Sequence, residues 1–394
     1  MRFQSYLNTA IKIIDLYDGS MPLSYFLKQY FSQHKKHGSK DRKIISHICY
    51  NFYRLGKSFT DISKEEKLKT AIFLCNDNID EWEFLYDEDW LKHHTKLLNE
   101  RITFIQTKYS FSLNDVFPFA DELSEDVIAS EFIQSFFIQP DVFIRIRPGY
   151  KNDVLQKLKE HQINFINIDE ECLSVLPSTK IESIIDVDKE AVVQDYSSQQ
   201  IKKFLSVIKE ATNNEQQQID VWDCCAGSGG KSILAYDAIE KIDLSVSDVR
   251  ASIIQNLKQR FNKAGIKNYK SFVADISNTK LKSQDKKFDL IICDAPCSGS
   301  GTWSRTPEQL YFFQTKKIDE YALLQQKIIS NTIPSLQQRG YFLYVTCSVF
   351  KKENERNVEF IQQHSNLELI KMELLKGYDK KADTMFAALF RKND

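Results

Sequence analysis

From about residue 190 onward, short apolar runs alternate with amphipathic stretches, and four successive runs lead into an acid. Residues 219–223, 244–248, 271–274, 288–293, 341–346 and 384–390 read as strands, and 251–264, 318–338 and 353–363 as helices between them. Such alternation folds as a mostly parallel sheet covered on both faces, an α/β architecture. Ligands of these sheets bind beyond the carboxyl ends of the strands. The informative residues are therefore those that close each run, beginning with Asp223, Asp248, Asp275 and Asp294.

The rest of the 394-residue chain is of two kinds. Residues 1–135 look all-helical: Phe3, Leu7, Ala10, Ile11, Ile14 and Tyr17 form one stripe at helical spacing, as do Ile44, Ile45, Ile48, Cys49, Phe52 and Leu55. Residues 136–190 read as a small α/β unit, too short for a dinucleotide fold, ahead of a 191–394 domain. Within it, 142–147 alternates as a strand that Pro148-Gly149 breaks. Arg145 and Arg147 then share one face, which is either solvated or in contact with RNA.

The net charge of −1 does not advertise a nucleic-acid partner, but it hides an uneven distribution. Residues 28–57 hold eight Lys or Arg against one acid, and 76–100 hold eight acids against two Lys. The tract 34–43, with Lys35, Lys36 and Arg42, reads equally as a solvated loop or as a surface for phosphates. No apolar run reaches membrane-spanning length, and the first residues lack an apolar signal core. The expectation is a cytoplasmic chain, free of membrane, whose eight cysteines stay reduced.

The first strand of the 191–394 domain runs into Asp223-Cys224-Cys225-Ala226-Gly227-Ser228-Gly229-Gly230-Lys231-Ser232. A Gly-rich turn from strand to helix lets a ligand approach the backbone. A Walker loop would need Gly where Cys225 stands, and a dinucleotide fingerprint would need Gly at Ser232. Alone, the loop reads as well as a tight structural turn. The acids sharpen it: Asp248 stands where a carboxylate accepts from both ribose hydroxyls, and Asp275 where one accepts from an adenine amino group. With Asp294 they suit S-adenosyl-L-methionine, whose sulfonium wants carboxylates and whose own carboxylate can meet Lys231 or the helix N-terminus.

Beyond the fourth and fifth strands stand Cys297, in Asp294-Ala295-Pro296-Cys297-Ser298-Gly299-Ser300-Gly301, and Cys347, in Thr346-Cys347-Ser348. Neighbouring strand ends put both thiols on one rim. No His is close, so no metal is expected. Structural thiols and a nucleophile remain open. Pyrimidine methylation fits this set. Carbon 5 of cytosine is a poor nucleophile until a thiolate adds to carbon 6, with an acid such as Asp294 assisting at N3 and the base unstacked.

These three segments, with Glu353-Asn354-Glu355, resemble the RNA cytosine-C5 methyltransferases of the Sun/Fmu and nucleolar Nop type. The likeness extends over about 136–394 through Val193-Gln194-Asp195 and Asp383-Thr384-Met385-Phe386. It implies a Rossmann-like S-adenosylmethionine domain preceded by a small RRM-like RNA-binding subdomain. The helical N-terminus resembles, more loosely, the NusB-like RNA-binding domain of bacterial members. The resemblance makes Cys347 the nucleophile and Cys297 the thiol that assists release; spacing alone leaves the two interchangeable. It carries cofactor contacts to Cys225, Ala226, Gly227, Ser228, Gly229, Gly230, Lys231, Asp248, Asp275 and Asp294, and a phosphate contact to Arg305. The implied substrate is ribosomal RNA of the small subunit, ahead of transfer RNA, and the implied state a monomer. A vestigial RNA-binding assembly factor would be expected to have lost Asp294, Cys297 or Cys347, and a DNA methyltransferase to lack the Thr-Cys-Ser thiol. Two departures stand out: Ala-Gly-Ser replaces the family's Ala-Ala-Pro in the loop, and Ile253 replaces an Arg. Gly227 and Ser228 are expected to leave the loop less rigid.

Overall fold

A computed structural model describes residues 2–212, 218–239, 241–278 and 286–394. The chain forms two compact units. The first is helical and comprises the residues up to Leu123 with Val127–Gln139 and Thr302–Thr315. Its longest helices are Arg2–Leu16, Leu23–Gln33, Ser39–Arg54, Lys64–Cys75 and Leu98–Lys108. Their apolar stripes bury Tyr6, Ala10, Ile13, Leu27, Ile45, Ile48 and Phe52. Arg54, 1% exposed, donates to the carbonyls of Phe136 (2.7 Å) and Ile138 (3.0 Å), which follow the helix Ala129–Ser135. Tyr311 and Phe312 pack edge-on against Tyr53 and Tyr17, which is why Thr302–Thr315 belongs to this unit.

The second unit contains both sheets. The small sheet consists of β1 (Val142–Ile146), β2 (Phe165–Asn167), β3 (Cys172–Val175) and β4 (Ala191–Val193), in the antiparallel order β2-β3-β1-β4. Ile144 and Ile146 turn to the helix Lys151–Glu160, where Val154 and Leu158 meet them. Arg145 and Arg147 take the opposite face, as alternation requires. That face is covered rather than solvated: the two side chains are 2% and 8% exposed. Arg145 Nη1 and Arg147 Nη2 each lie 2.7 Å from Asp237, on the helix Gly230–Ala238. Neither arginine is a surface residue for RNA, which corrects both expectations for this strand. The same pairing joins the small sheet to the large one in a single compact unit, whereas a boundary was expected near 190.

The large sheet has β5 (Ile219–Asp223), β6 (Ile242–Asp248), β7 (Tyr269–Val273), β8 (Phe288–Asp294), β9 (Leu336–Thr346), β10 (Leu367–Leu375) and β11 (Met385–Lys392). Their order is β10-β11-β9-β8-β5-β6-β7, and β11 alone runs against the rest. Alternate residues feed opposite cores. Val221, Ile292 and Leu343 pack with Ile233, Leu257 and Phe261, whereas Trp222, Ile291 and Phe342 pack with Ile328, Ile329 and Ile361. The order reverses direction at β5, between β6 and β8, and this switch point opens the cleft.

Two details depart from the sequence reading. The helix expected over 318–338 is Lys316–Thr332, because Pro334 cannot extend it and Leu336 already starts β9. The edge strand β10 is absent from the expected set; Leu, Glu, Lys and Met dominate it, and these are ordinary helix formers.

Removing the carboxylate in Asp237→Ala leaves two buried guanidinium groups without their anion. The variant should lose about 3–5 kcal/mol of unfolding free energy in urea denaturation.

Candidate active site

The turn after β5 is fixed from several sides. Ala226 N–H donates to the Ser247 carbonyl (2.8 Å), and Gly227 N–H to the Asp248 carboxylate (3.1 Å). Gly229 opens the helix Gly230–Ala238 at φ +85°. A Cβ there would stand 2.7 Å from the Phe261 ring, so the loop packs directly on the helix Ala251–Ala264. Gly227 and Gly230, by contrast, face open space for 4 Å around a would-be Cβ, leaving a bare backbone cradle. The looseness expected of Ser228 is met by Arg260, whose Nη1 donates to the Ser228 carbonyl and hydroxyl at 3.0 Å each. Asp188 in turn holds Arg260 at 2.7 Å.

The acids stand at successive strand ends. Asp223 is fully buried and accepts from Ser232 Oγ at 2.6 Å; burial pushes it up to about 7. Asp248 also holds Arg250 Nε, at 3.1 Å, on the side where Ile253 supplies no cation. Asp275 closes its own turn by accepting from Ser277 (2.6 Å) and Asn278 (2.7 Å), and those bonds lower its pKa. Asp294 lies 2.6 Å from Lys231 Nζ. Burial pulls the Lys231 ammonium down, but the charges of Asp294 and Cys347 outweigh it and leave the net shift upward. Lys231 thus has a protein carboxylate as partner within the chain itself.

Pairing of β8 with β9 sets Asp294 beside Val345 and brings the loops beyond them together. Cys297 Sγ and Cys347 Sγ lie 3.1 Å apart; both are free and partly exposed. Gly301 threads between, donating to the Cys347 carbonyl and accepting from Thr384 N–H at 2.9 Å each. A Cβ on Gly301 would sit 1.9 Å from the Thr384 oxygen, so only glycine allows this approach. The hydrogen bond to Cys347, with burial, pushes the Cys297 thiol well up.

Sequence reasoning missed the polar network beneath the thiols, made of Glu353, Gln325, Asn354 and Asn357, all buried. Gln325 was its visible signal: it falls on the apolar stripe Ile318, Ala322, Ile328, Ile329 of its helix. The remaining expected residues lie in the helical unit. Lys35 and Lys36 are exposed, Arg42 is half-buried with its Nε on the His37 carbonyl, and Arg305 is half-buried.

The family described as "16S rRNA methyltransferase RsmB/F" matches residues 208–391. The likeness to that family covers a little under half of the chain. A protein of Xanthomonas campestris named ribosomal RNA small subunit methyltransferase B is 30% identical over 173 residues, 43% of this chain and 38% of that protein. One of the same name from Yersinia enterocolitica is 30% identical over 151 residues, 38% of this chain and 35% of its own length. The chain thus matches well under half the length of these curated relatives. Among solved structures, that of PH0851 covers 97% of both chains at TM-score 0.69 and 18% identity. NSun6 from Pyrococcus horikoshii, solved with SFG, covers 72% of this chain and 97% of its own at TM-score 0.58 and 15% identity. These likenesses establish a Rossmann-like fold.

Two glycines of the loop after β5 should respond oppositely to alanine. Gly229→Ala meets both a positive φ and the Phe261 ring, and should cost about 1–3 kcal/mol in urea denaturation. Gly230→Ala meets nothing, and its stability should stay within about 0.5 kcal/mol of the parent.

Proposed function

We propose that the protein methylates carbon 5 of a cytosine in RNA, with ribosomal RNA of the small subunit as substrate, through a covalent bond between Cys347 and cytosine carbon 6. The observation that carries this reading is the pair of partly exposed free thiols, 3.1 Å apart, at the carboxyl ends of two adjacent parallel strands on the rim of the Gly-rich loop. The names of the curated relatives support the choice of substrate.

The residues present fit S-adenosyl-L-methionine. The bare backbone at Gly227 and Gly230 admits close approach, and Asp248, Asp275 and Asp294 beyond three strands favour a cationic ligand. The loop from Cys225 to Lys231, with Asp248, Asp275 and Asp294, would hold it. Bound there, it supplies an electrophilic methyl group on a sulfonium.

The chain's own groups divide the work. Cys347 Sγ bonds to carbon 6 and pushes electron density toward N3 and carbon 5. Asp294 meets the N3 edge of the base, and Lys231 beside it steadies the negative charge that builds as sulfur adds. Once carbon 5 carries the methyl group, its proton passes to a base as the Cys347–carbon 6 bond breaks, and Cys297, whose thiol is protonated, can return a proton to the departing Cys347 sulfur. Exposed Lys35, Lys36, Lys40 and Lys43, with Arg42 and Arg305, supply phosphate contacts that position the RNA without reading its sequence.

Cys347→Ala should lower 5-methylcytosine formation about a thousandfold or more while binding of S-adenosylhomocysteine persists. Cys297→Ala should instead accumulate an RNA adduct, seen as a shifted band in a denaturing gel. Wild-type turnover by the first variant, or no adduct from the second with a competent RNA, defeats the assignment. Bisulfite sequencing of ribosomal RNA from cells lacking the protein identifies the modified base by its loss.

Neutralising Lys35, Lys36, Lys40 and Lys43 to Gln should weaken RNA binding and flatten its salt dependence, the slope falling by about 0.7–0.9 for each phosphate that is no longer neutralised. Titration at several salt concentrations checks this.

A further inference from the structure

Glu353 is fully buried, at 0% exposure, yet every group it meets is a neutral donor. Its Oε2 accepts from Ser298 N–H and from Gln325 Nε2, both at 2.9 Å, and its Oε1 accepts from Ser348 Oγ at 2.8 Å. The Ser348 hydroxyl also accepts the Phe350 N–H at 3.0 Å and lies 3.2 Å from the Ser298 and Ser300 hydroxyls. Burial raises the Glu353 pKa, and the bonds from Ser298, Ser348 and Gln325 oppose that rise by favouring the ionised form. The neighbouring Lys352 pairs with Asp319 at 2.9 Å. Burying an anion on neutral donors costs several kcal/mol relative to an apolar residue of similar shape, so packing alone gives no reason for this residue here.

Its three bonds have a pattern. Ser298 follows Cys297, and Ser348 follows Cys347; Gln325 Nε2 also holds the carbonyl of Pro296, which precedes Cys297, at 3.0 Å. One carboxylate therefore straps the two cysteine loops to each other. The charges around the thiol pair are also unequal. Lys231, beside Asp294, interacts with Cys347, and Glu353 interacts with Cys297. The other titratable groups facing the pair are Tyr321, from the helix Lys316–Thr332, and Tyr344, from β9; burial holds both phenols neutral. Asp223 lies beneath the loop, next to Lys231 and Asp294.

We propose that Glu353 is a positioning residue that polarises the thiol pair: it fixes the two sulfurs at bonding distance and places a negative charge on the Cys297 side, so that the proton stays on Cys297 and the charge falls on Cys347. The proposal deepens the reading of the two-cysteine site and rests on it for its purpose. It also supplies a physical reason for the asymmetry between thiols that spacing leaves interchangeable.

The test reads the thiols directly, on the full chain without RNA. Iodoacetamide is applied across pH, and alkylation at each cysteine is quantified by mass spectrometry. In the parent, Cys347 should label at lower pH than Cys297. Glu353→Gln keeps the shape and removes the charge; it should move the onset of Cys297 labelling to lower pH and raise the ratio of Cys297 to Cys347 labelling about fivefold or more. Gln325→Leu removes one tie but keeps the charge, and should leave the Cys297 onset in place. An unchanged ratio in Glu353→Gln, or a shift of equal size in Gln325→Leu, overturns the proposal. If Glu353→Gln fails to fold by thermal melting, the parent's own order of labelling decides: Cys297 reacting at or below the pH of Cys347 overturns it. Because no RNA or cofactor enters this assay, absence of methylation would defeat the proposed activity without touching this result.

Discussion

Parallel pairing of β8 with β9 is the constraint on which the site depends. Parallel strands point their carboxyl ends the same way, so the loops that follow Asp294 and Val345 must share one rim. Cys297 and Cys347 are 50 positions apart in sequence, yet backbone hydrogen bonding alone carries their loops to a common edge. Buried side chains do the rest. Glu353 and Gln325 tie one loop to the other, and Gly301 lets the chain pass between Cys347 and Thr384, where any Cβ would collide with backbone. Each of these hydrogen bonds is weak alone, about 1 kcal/mol net. Together they hold two sulfurs where small displacements would part them.

The cofactor loop follows the same logic with different chemistry. Its tight turn is set by Gly229 on Phe261, while its outer side, at Ser228, is held by an arginine that a second acid anchors. A proline stiffens a loop by removing conformations from the unfolded chain. The Asp188–Arg260–Ser228 chain stiffens the folded state instead, through ordered polar contacts. The departure from the usual loop sequence is therefore compensated in space, by Arg260 and Asp188, which are remote from Ser228 in sequence on either side.

What the sequence reveals, and what it hides, divides by range. Strand runs, the acids closing them and the shared rim of Cys297 and Cys347 follow from local periodicity plus one rule of sheet topology. Arg145 and Arg147 mislead because alternation says that two residues share a face, but not what covers it. Their cover, Asp237, lies 92 and 90 residues downstream. The strand β10 is hidden by its composition, since an edge strand need not be built from strong strand formers. Lys231 reads as a ligand for a small-molecule carboxylate, and the sequence does not show that Asp294 lies 2.6 Å from it. Glu353 stands in plain view close to Thr-Cys-Ser, but nothing in its neighbours announces burial. Its role emerges only when Ser298, Gln325 and Ser348 converge on it from three separate segments.

The near-neutral total charge gains meaning from these placements. The cleft end of the large sheet gathers Asp223, Asp248, Asp275 and Asp294, with Lys231 and Arg250 as partners, so acids outnumber cations there. Such a site favours a sulfonium and disfavours a phosphodiester. On the proposed reading, nucleic acid needs its attraction from elsewhere in the chain, and the surplus of eight basic residues over one acid in 28–57 can supply it. The proposed reaction, between a cationic donor and a polyanionic acceptor, makes opposing electrostatic demands. Segregating them, with carboxylates at the strand ends and lysines in the helical unit, satisfies both while the net charge stays at −1. On the proposed reading, the pairing of Lys231 with Asp294 also spares a cationic donor an unpaired cation at the loop.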